Sequence, residues 1–327
     1  MKGHILPLPG ERAPGGLAHL TAPLTLLFLG YLAVAGCFVA ATAKHVYAAP
    51  ALLTGFAGCA LLMPACALLA QRFPHRRWAS GLWVFCPLAL QPYLYVSAER
   101  YATALHGRYL DGEIIAWERL VFGGSPNLAL DRYVTPVLTE VMMACYFSYY
   151  LLMSLPALWL VARRRARHAA ELMFAQCLAH ALCYPGYVLL PLRGPVYALA
   201  GEFGTPQLPG FFVTATQNAI MRLDPLGTCF PSSHVAMSWA ALLTMRRLVP
   251  GRVFRPCAVL VCCLTISVVY CRYHYLSDVC VGLAVAALAA YLTRRLHKEY
   301  PHVPSGDRTG RALADRGRLR RGVAARS

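Results

Sequence analysis

Charge is what this chain of 327 residues has least of. Only 14 residues are Asp or Glu, 31 are Lys or Arg, and together they make up 14% of the sequence. Soluble domains carry about a quarter of charged residues. Here 58% of the residues are hydrophobic and the mean hydropathy is +0.48, which excludes an ordinary soluble domain and implies an integral membrane protein. The paired short cysteine spacings of a zinc or redox motif are also missing, although there are 13 cysteines. Most, such as Cys59, Cys177, Cys262 and Cys263, lie within apolar runs and read as small core fillers. Cys229 and Cys271 differ, each lying one or two residues from a polar motif; a disulfide between them would need an oxidising face. No internal repeat supports an inverted-repeat transporter. The net charge of +17 reads as positive-inside bias and not as a nucleic-acid footprint, so no nucleic-acid partner is expected.

Crossing ~30 Å of hydrocarbon takes ~20 helical residues. Eight apolar runs meet or approach that length: Thr21 to Ala43, Ala48 to Ala70, Trp78 to Ala98, Tyr133 to Ala162, Leu172 to Leu192, Pro231 to Leu248, Pro256 to Cys271 and Tyr275 to Thr293. The first ends in "ATA" like a cleaved signal peptide, but it is too long and its leader too weakly basic. Basic segments follow runs two, four, six and eight, which places them and both termini in the cytoplasm. The segment from Glu99 to Arg132, the loop from Arg193 to Cys229 and the turn from Arg272 to His274 then face the periplasm or exterior. The tail from Arg294 to Ser327 has ten Lys or Arg against three acids and is expected to be disordered against anionic headgroups.

Three polar clusters sit at the outer ends of these runs. "LPLRGP" places Arg193 after run five. "CFPSSHVAMS" places Ser232, Ser233 and His234 at the start of run six, with Pro231 suited to a first helical position. Free amides and the positive end of that helix make an anion site, with His234 a turn inside; a serine-capped helix with an incidental histidine explains the same residues. "RYHYLSD" supplies Arg272, His274 and Asp278. A histidine and an aspartate four apart share a helix face, and a carboxylate on one imidazole nitrogen leaves the other as nucleophile or base. An unpaired acid within an apolar run costs ~2.5–3.5 kcal/mol, which favours a partnered Asp278. Two histidines and an aspartate would also suit zinc, but two nearby arginines repel a cation and match phosphate oxygens. The combination points to phosphoryl transfer.

This arrangement resembles the type 2 phosphatidic acid phosphatase superfamily, a group of metal-independent phosphatases and phosphotransferases. Its middle motif is matched by Pro231, Ser232, Ser233 and His234, with serine for the usual glycine, and its last motif by His274 and Asp278. The similarity runs from about Trp78 to Arg295. Two usual basic positions are replaced, by Gly186 and by Val268. Arg272, the "RGP" at Arg193 to Pro195, "WERLVFGGSPNLAL" and "YFSYY" look more like the inositol phosphorylceramide synthase branch. The resemblance implies a six-helix catalytic bundle within an all-α membrane protein, over residues 77–296, after a two-helix addition over 1–76 and before a tail over 297–327. It implies that His274, held by Asp278, forms a phosphohistidine and that His234 protonates the leaving alcohol. Arg193, Arg272, Ser232, Ser233 and local amides bind the phosphate, with no metal or other cofactor. Membrane lipids are the expected partners, as phosphorylated substrate and as alcohol acceptor if water is not used. The sequence leaves the oligomeric state open.

The helix from Pro231 to Leu248 rises only ~27 Å, which puts the site near the outer headgroups. Phe211 and Phe212 either frame a lipid entrance there or pack on the bundle. Glu140 either partners an arginine or snorkels to water, His180 reads as a hydrogen-bonded core histidine, and the tyrosines of "YFSYY" read mostly as core or interface. A transporter or lipid flippase using the same polar groups without covalent chemistry is the rival class. It would need them at mid-membrane.

Overall fold

A computed structural model describes residues 19–297. The chain divides into two units, residues 1–293 and 294–327. The amino-terminal 18 residues and nearly all of the basic tail lie outside the described residues, as does any test of the tail's expected disorder. Among the described residues every regular element is helical.

The helices, in chain order, are α1 (Pro23–Ala41), α2 (Ala49–Arg72), α3 (Arg77–Ala102), α4 (Asp111–Phe122), α5 (Pro126–Asp131), α6 (Pro136–Ala162), α7 (Ala166–Leu189), α8 (Pro195–Ala198), α9 (Phe212–Met221), α10 (Ser233–Leu248), α11 (Gly251–Tyr270) and α12 (Leu276–Leu296). Each of the eight predicted apolar runs coincides with a helix: α1, α2, α3, α6, α7, α10, α11 and α12. Six of these, all but α3 and α10, are long and apolar enough to cross a membrane, which fits a multi-pass membrane protein. At 16 residues α10 is short, and α3 dilutes its apolar stretch with Pro87, Gln91, Pro92, Tyr93 and Tyr95.

Two boundaries depart from the apolar runs for physical reasons. The helix α7 begins six residues before Leu172 because the charge that ends the run, Glu171, is buried in an ion pair with Arg247 of α10. Pro231 is not the first helical residue of α10. Ser232 is the N-cap, its Oγ accepting from the Val235 amide at 3.4 Å, so the helix starts at Ser233.

Lipid tails are as apolar as leucine, so helices in a bilayer associate through close packing of small residues. The helix α7 packs on α10, α3, α6 and α1. It buries Ala169, Ala175 and Ala179, and its partner α10 buries Ala236, Ala240 and Ala241. Against this pair lie α6 and α11, with α2 packed on α3 and α1 on α2 and α7.

Candidate active site

The ends of α7, α10 and α12 meet at one place because two glycines let backbones touch. A Cβ at Gly186 would stand 2.3 Å from Pro231 Cδ and 2.9 Å from the Phe230 carbonyl; one at Gly282 would stand 2.8 Å from the Ser232 carbonyl. Gly186 is where the resembled family usually has a lysine, so in this chain that position is given to helix contact. Val268, the other replaced basic position, is fully buried, and its carbonyl accepts from the amides of Tyr273 and His274.

At this junction His234 and His274 face each other, Nδ1 of the first 3.4 Å from Nε2 of the second. His274 Nδ1 lies 2.9 Å from the Cys229 carbonyl and 3.4 Å from Asp278 Oδ2. His234 Nε2 lies 2.9 Å from the Tyr146 hydroxyl, and its ring stands between those of Tyr146 and Tyr149. A carbonyl only accepts, so Nδ1 of His274 carries the proton and its Nε2 a lone pair. The consistent chain runs from the Tyr146 hydroxyl to His234 Nε2, and from His234 Nδ1–H to His274 Nε2. One histidine thus presents a free ring nitrogen and the other an N–H beside it.

Asp278 has a second task. The helix α12 begins after Tyr275, and Asp278, three residues on, accepts from the Tyr275 amide at 2.9 Å, as the acid of a capping box does. Its Oδ2 also takes the Cys229 thiol at 3.0 Å. Cys229 and Cys271 are both free thiols, so no disulfide joins them. At the start of α10, no acceptor among the described residues meets the amides of Ser233 and His234, leaving them available to an anion.

The arginines are placed differently from the histidines. Arg272, in the left-handed region at φ 64°, buries its guanidinium against the Asp131 carboxylate and over the Phe203 ring at 3.7 Å. Burial lowers its pKa, and Asp131 opposes that shift. Arg193 gives its amide to both oxygens of Asp111 at 3.1 Å, and its half-exposed guanidinium lies 3.6 Å from the same carboxylate.

Asp111, Glu118, Asn127 and Asp131 are the residues that reading the sequence missed. They come from the mixed-charge segment expected to be a loop, which folds as α4 and α5. Asp111 also accepts from the Gly194 amide and the Tyr275 hydroxyl. Glu118 accepts from the Ser277 amide and hydroxyl, both at 2.8 Å; its pKa is raised by burial, against those hydrogen bonds. Asn127 donates to the carbonyls of Val269 and His274. The available signal was the cluster of acids and an asparagine within a stretch bounded by apolar runs.

Glu140 pairs with no arginine among the described residues. Its carboxylate accepts from the amides of Phe211, Val213 and Thr214 and from the Thr214 hydroxyl, fixing the start of α9. Phe211 and Phe212 stay exposed there. Asp224, after α9, is raised to about 6 by burial, against the opposing pull of His274. His180 is a core histidine bonded to Gln91, beside a cavity of about 30 Å³ between α1, α3 and α7 that is separate from the histidine pair.

An all-helical multi-pass protein with two facing histidines, one backed by an aspartate, is the class that fold and site define. The PAP2 superfamily's sequence profile matches residues 112–292, more than half of the chain, and the chain belongs to that superfamily. No curated protein and no solved structure matches it. Membership makes a phosphatase-type enzyme the general function.

Proposed function

We propose that the protein is a lipid phosphatase or phosphotransferase working through a phosphohistidine on His274. The observation that carries this reading is the 3.4 Å approach of His234 Nδ1 to His274 Nε2, with the other nitrogen of His274 facing Asp278 and the Cys229 carbonyl. The Nε2 lone pair attacks phosphorus and the P–O bond to the alcohol breaks. His234, an imidazolium once the phosphate is bound, with Nε2–H turned to the Tyr146 oxygen, gives its Nδ1 proton to the departing alkoxide and becomes neutral. As negative charge builds on the equatorial oxygens, the amides of Ser233 and His234 and the guanidinium of Arg193 stabilise it, with Ser232 and Ser233 shaping the turn. His234, now without that proton, takes one from the acceptor, and water or an alcohol attacks the phosphohistidine.

Within this reading Arg272 acts through position: its ion pair with Asp131 and its stack on Phe203 hold the turn that carries His274. An alcohol acceptor would make the reaction like that of the inositol phosphorylceramide synthases, which the departures at Gly186 and Val268 favour. Eight spans around a six-helix core of α3, α6, α7, α10, α11 and α12, with both termini cytoplasmic, would put the site at the outer headgroups. The clustering of polar groups at helix ends supports an enzyme over a flippase.

The test supplies labelled phosphatidic acid and phosphoinositides to the purified protein, with and without inositol or a ceramide. Free phosphate indicates hydrolysis, and label on the added alcohol indicates transfer. Lipid movement without either product, unchanged in His274→Ala, would sink the enzyme reading in favour of the flippase.

A further inference from the structure

Both arginines that argued against a cation have carboxylates of their own, Arg272 with Asp131 and Arg193 with Asp111. Beside the His274–Asp278 pair stands a sulfur, that of Cys229, which phosphoryl transfer does not require. Cys229 Sγ, His274 Nδ1 and Asp278 Oδ2 all lie within 4.8 Å of one another and all three residues are buried. Their separations are 3.6 Å from sulfur to nitrogen, 3.4 Å from nitrogen to oxygen and 3.0 Å from sulfur to oxygen. Tetrahedral zinc, with bonds of ~2.3 Å to sulfur and ~2.0–2.2 Å to nitrogen and oxygen, sets such donors about 3.3–3.6 Å apart. Two of the three separations already suit it. The third is the thiol's hydrogen bond to Oδ2, which ends when the thiol loses its proton.

A second observation is independent of the spacing. Asp278 is fully buried, and its Oδ1 meets no hydrogen-bond partner. A buried carboxylate oxygen left unsatisfied is costly, and a cation held by both oxygens of Asp278 would satisfy it.

We propose that Cys229, His274 and Asp278 form a binding site for a thiophilic divalent cation of the zinc type, and that its occupation holds His274 inactive. Binding releases the thiol proton and the Nδ1 proton to solvent and forms bonds from sulfur, nitrogen and carboxylate oxygen to the ion. Nothing is oxidised or reduced. The fourth position goes to water or to the Cys229 carbonyl. A dication on Nδ1 withdraws electron density from the ring, so Nε2 becomes a poorer nucleophile, and it takes Asp278 away from the histidine. Because two protons leave, affinity rises with pH. The inhibitory half rests on reading His274 as the nucleophile; the binding half does not.

The full-length protein in detergent, titrated with Co²⁺, should develop a thiolate-to-cobalt band in the near ultraviolet that saturates at one equivalent and is discharged by Zn²⁺. Cys229→Ser should weaken binding by more than the roughly 10- to 100-fold that losing an outer-shell partner costs, while Cys271→Ser keeps the band. No band in the wild type, or an unchanged one in Cys229→Ser, overturns the site. Should Cys229→Ser not fold, X-ray absorption on the zinc-loaded wild type decides: one sulfur neighbour supports the site, none or several overturns it. Zinc should also suppress phosphate release in the wild type, and a chelator should restore it; release unaffected by bound metal overturns the inhibitory role. A band in a protein that, once stripped of metal, neither releases phosphate from any lipid nor passes it to an added alcohol supports the metal site and contradicts the enzyme reading instead.

Discussion

Arg272 holds its guanidinium in a buried pair with Asp131 while its own backbone sits at φ 64°. Removing one partner of a buried ion pair costs ~3–5 kcal/mol because the other charge is left uncompensated. Arg272→Ala and Asp131→Ala should therefore each lower the thermal midpoint sharply, and the double variant should lose much less than the sum. Additive losses would show that the pair is not a unit. Asp224 gives a pH-dependent effect. Its folded pKa of about 6 lies above the ordinary carboxylate value of 3.8, so folding favours the protonated form. The stability this contributes is full below pH ~4 and is lost as pH rises through ~6. Asp224→Asn should then stabilise the protein at pH 7.5 by roughly 2–3 kcal/mol and at pH 4.5 by only about 1 kcal/mol, as thermal midpoints at the two pH values would reveal. His234, His274 and Asp278 were legible because acids and bases stand out in an apolar sequence. Asp131 and Tyr146 were not: a carboxylate in a polar segment reads as solvated and a tyrosine in a span reads as core, until the partner across the fold is known.

Among the elements, α12 and α7 owe their positions to what they lack. Gly186→Lys, which restores the resembled family's usual residue, forces a Cβ to within 2.3 Å of Pro231 Cδ and 2.9 Å of a carbonyl. It should destabilise the fold at or above the upper end of the ~1–3 kcal/mol typical of overpacking, with Gly186→Ala close behind. Restored or increased activity in the lysine variant would show that the helices can part there without loss. Apolar runs located the long helices well because a bilayer demands ~20 residues without charge. They failed where charge is internally paired, as at the start of α7, where Glu171 is held by Arg247. They failed also at α4, α5 and α9, whose polar faces hold other elements through Asp111, Glu118, Asn127 and, from α6, Glu140.

At the scale of the whole molecule, the positive-inside pattern and the helix count make a checkable arrangement. If α3 crosses the bilayer, positions 75 and 105 flank it on opposite sides. In His75→Cys and Leu105→Cys, measured against the wild type, an impermeant thiol reagent should label position 105 in intact cells and position 75 only after permeabilisation. Labelling of both from one side would remove α3 from the spans and leave the six most apolar helices. The central claim is chemical, and one measurement addresses it most directly. Protein exposed briefly to a phosphate-labelled lipid is quenched in alkali, digested and searched for a phosphorylated peptide. The account predicts acid-labile, base-stable phosphate on the peptide containing His274, lost in His274→Ala and accumulating in His234→Ala when a substrate with a good leaving group needs no proton donor. Lipid turnover with no phosphate on His274 at any quench time, or with phosphate on a serine, would contradict it.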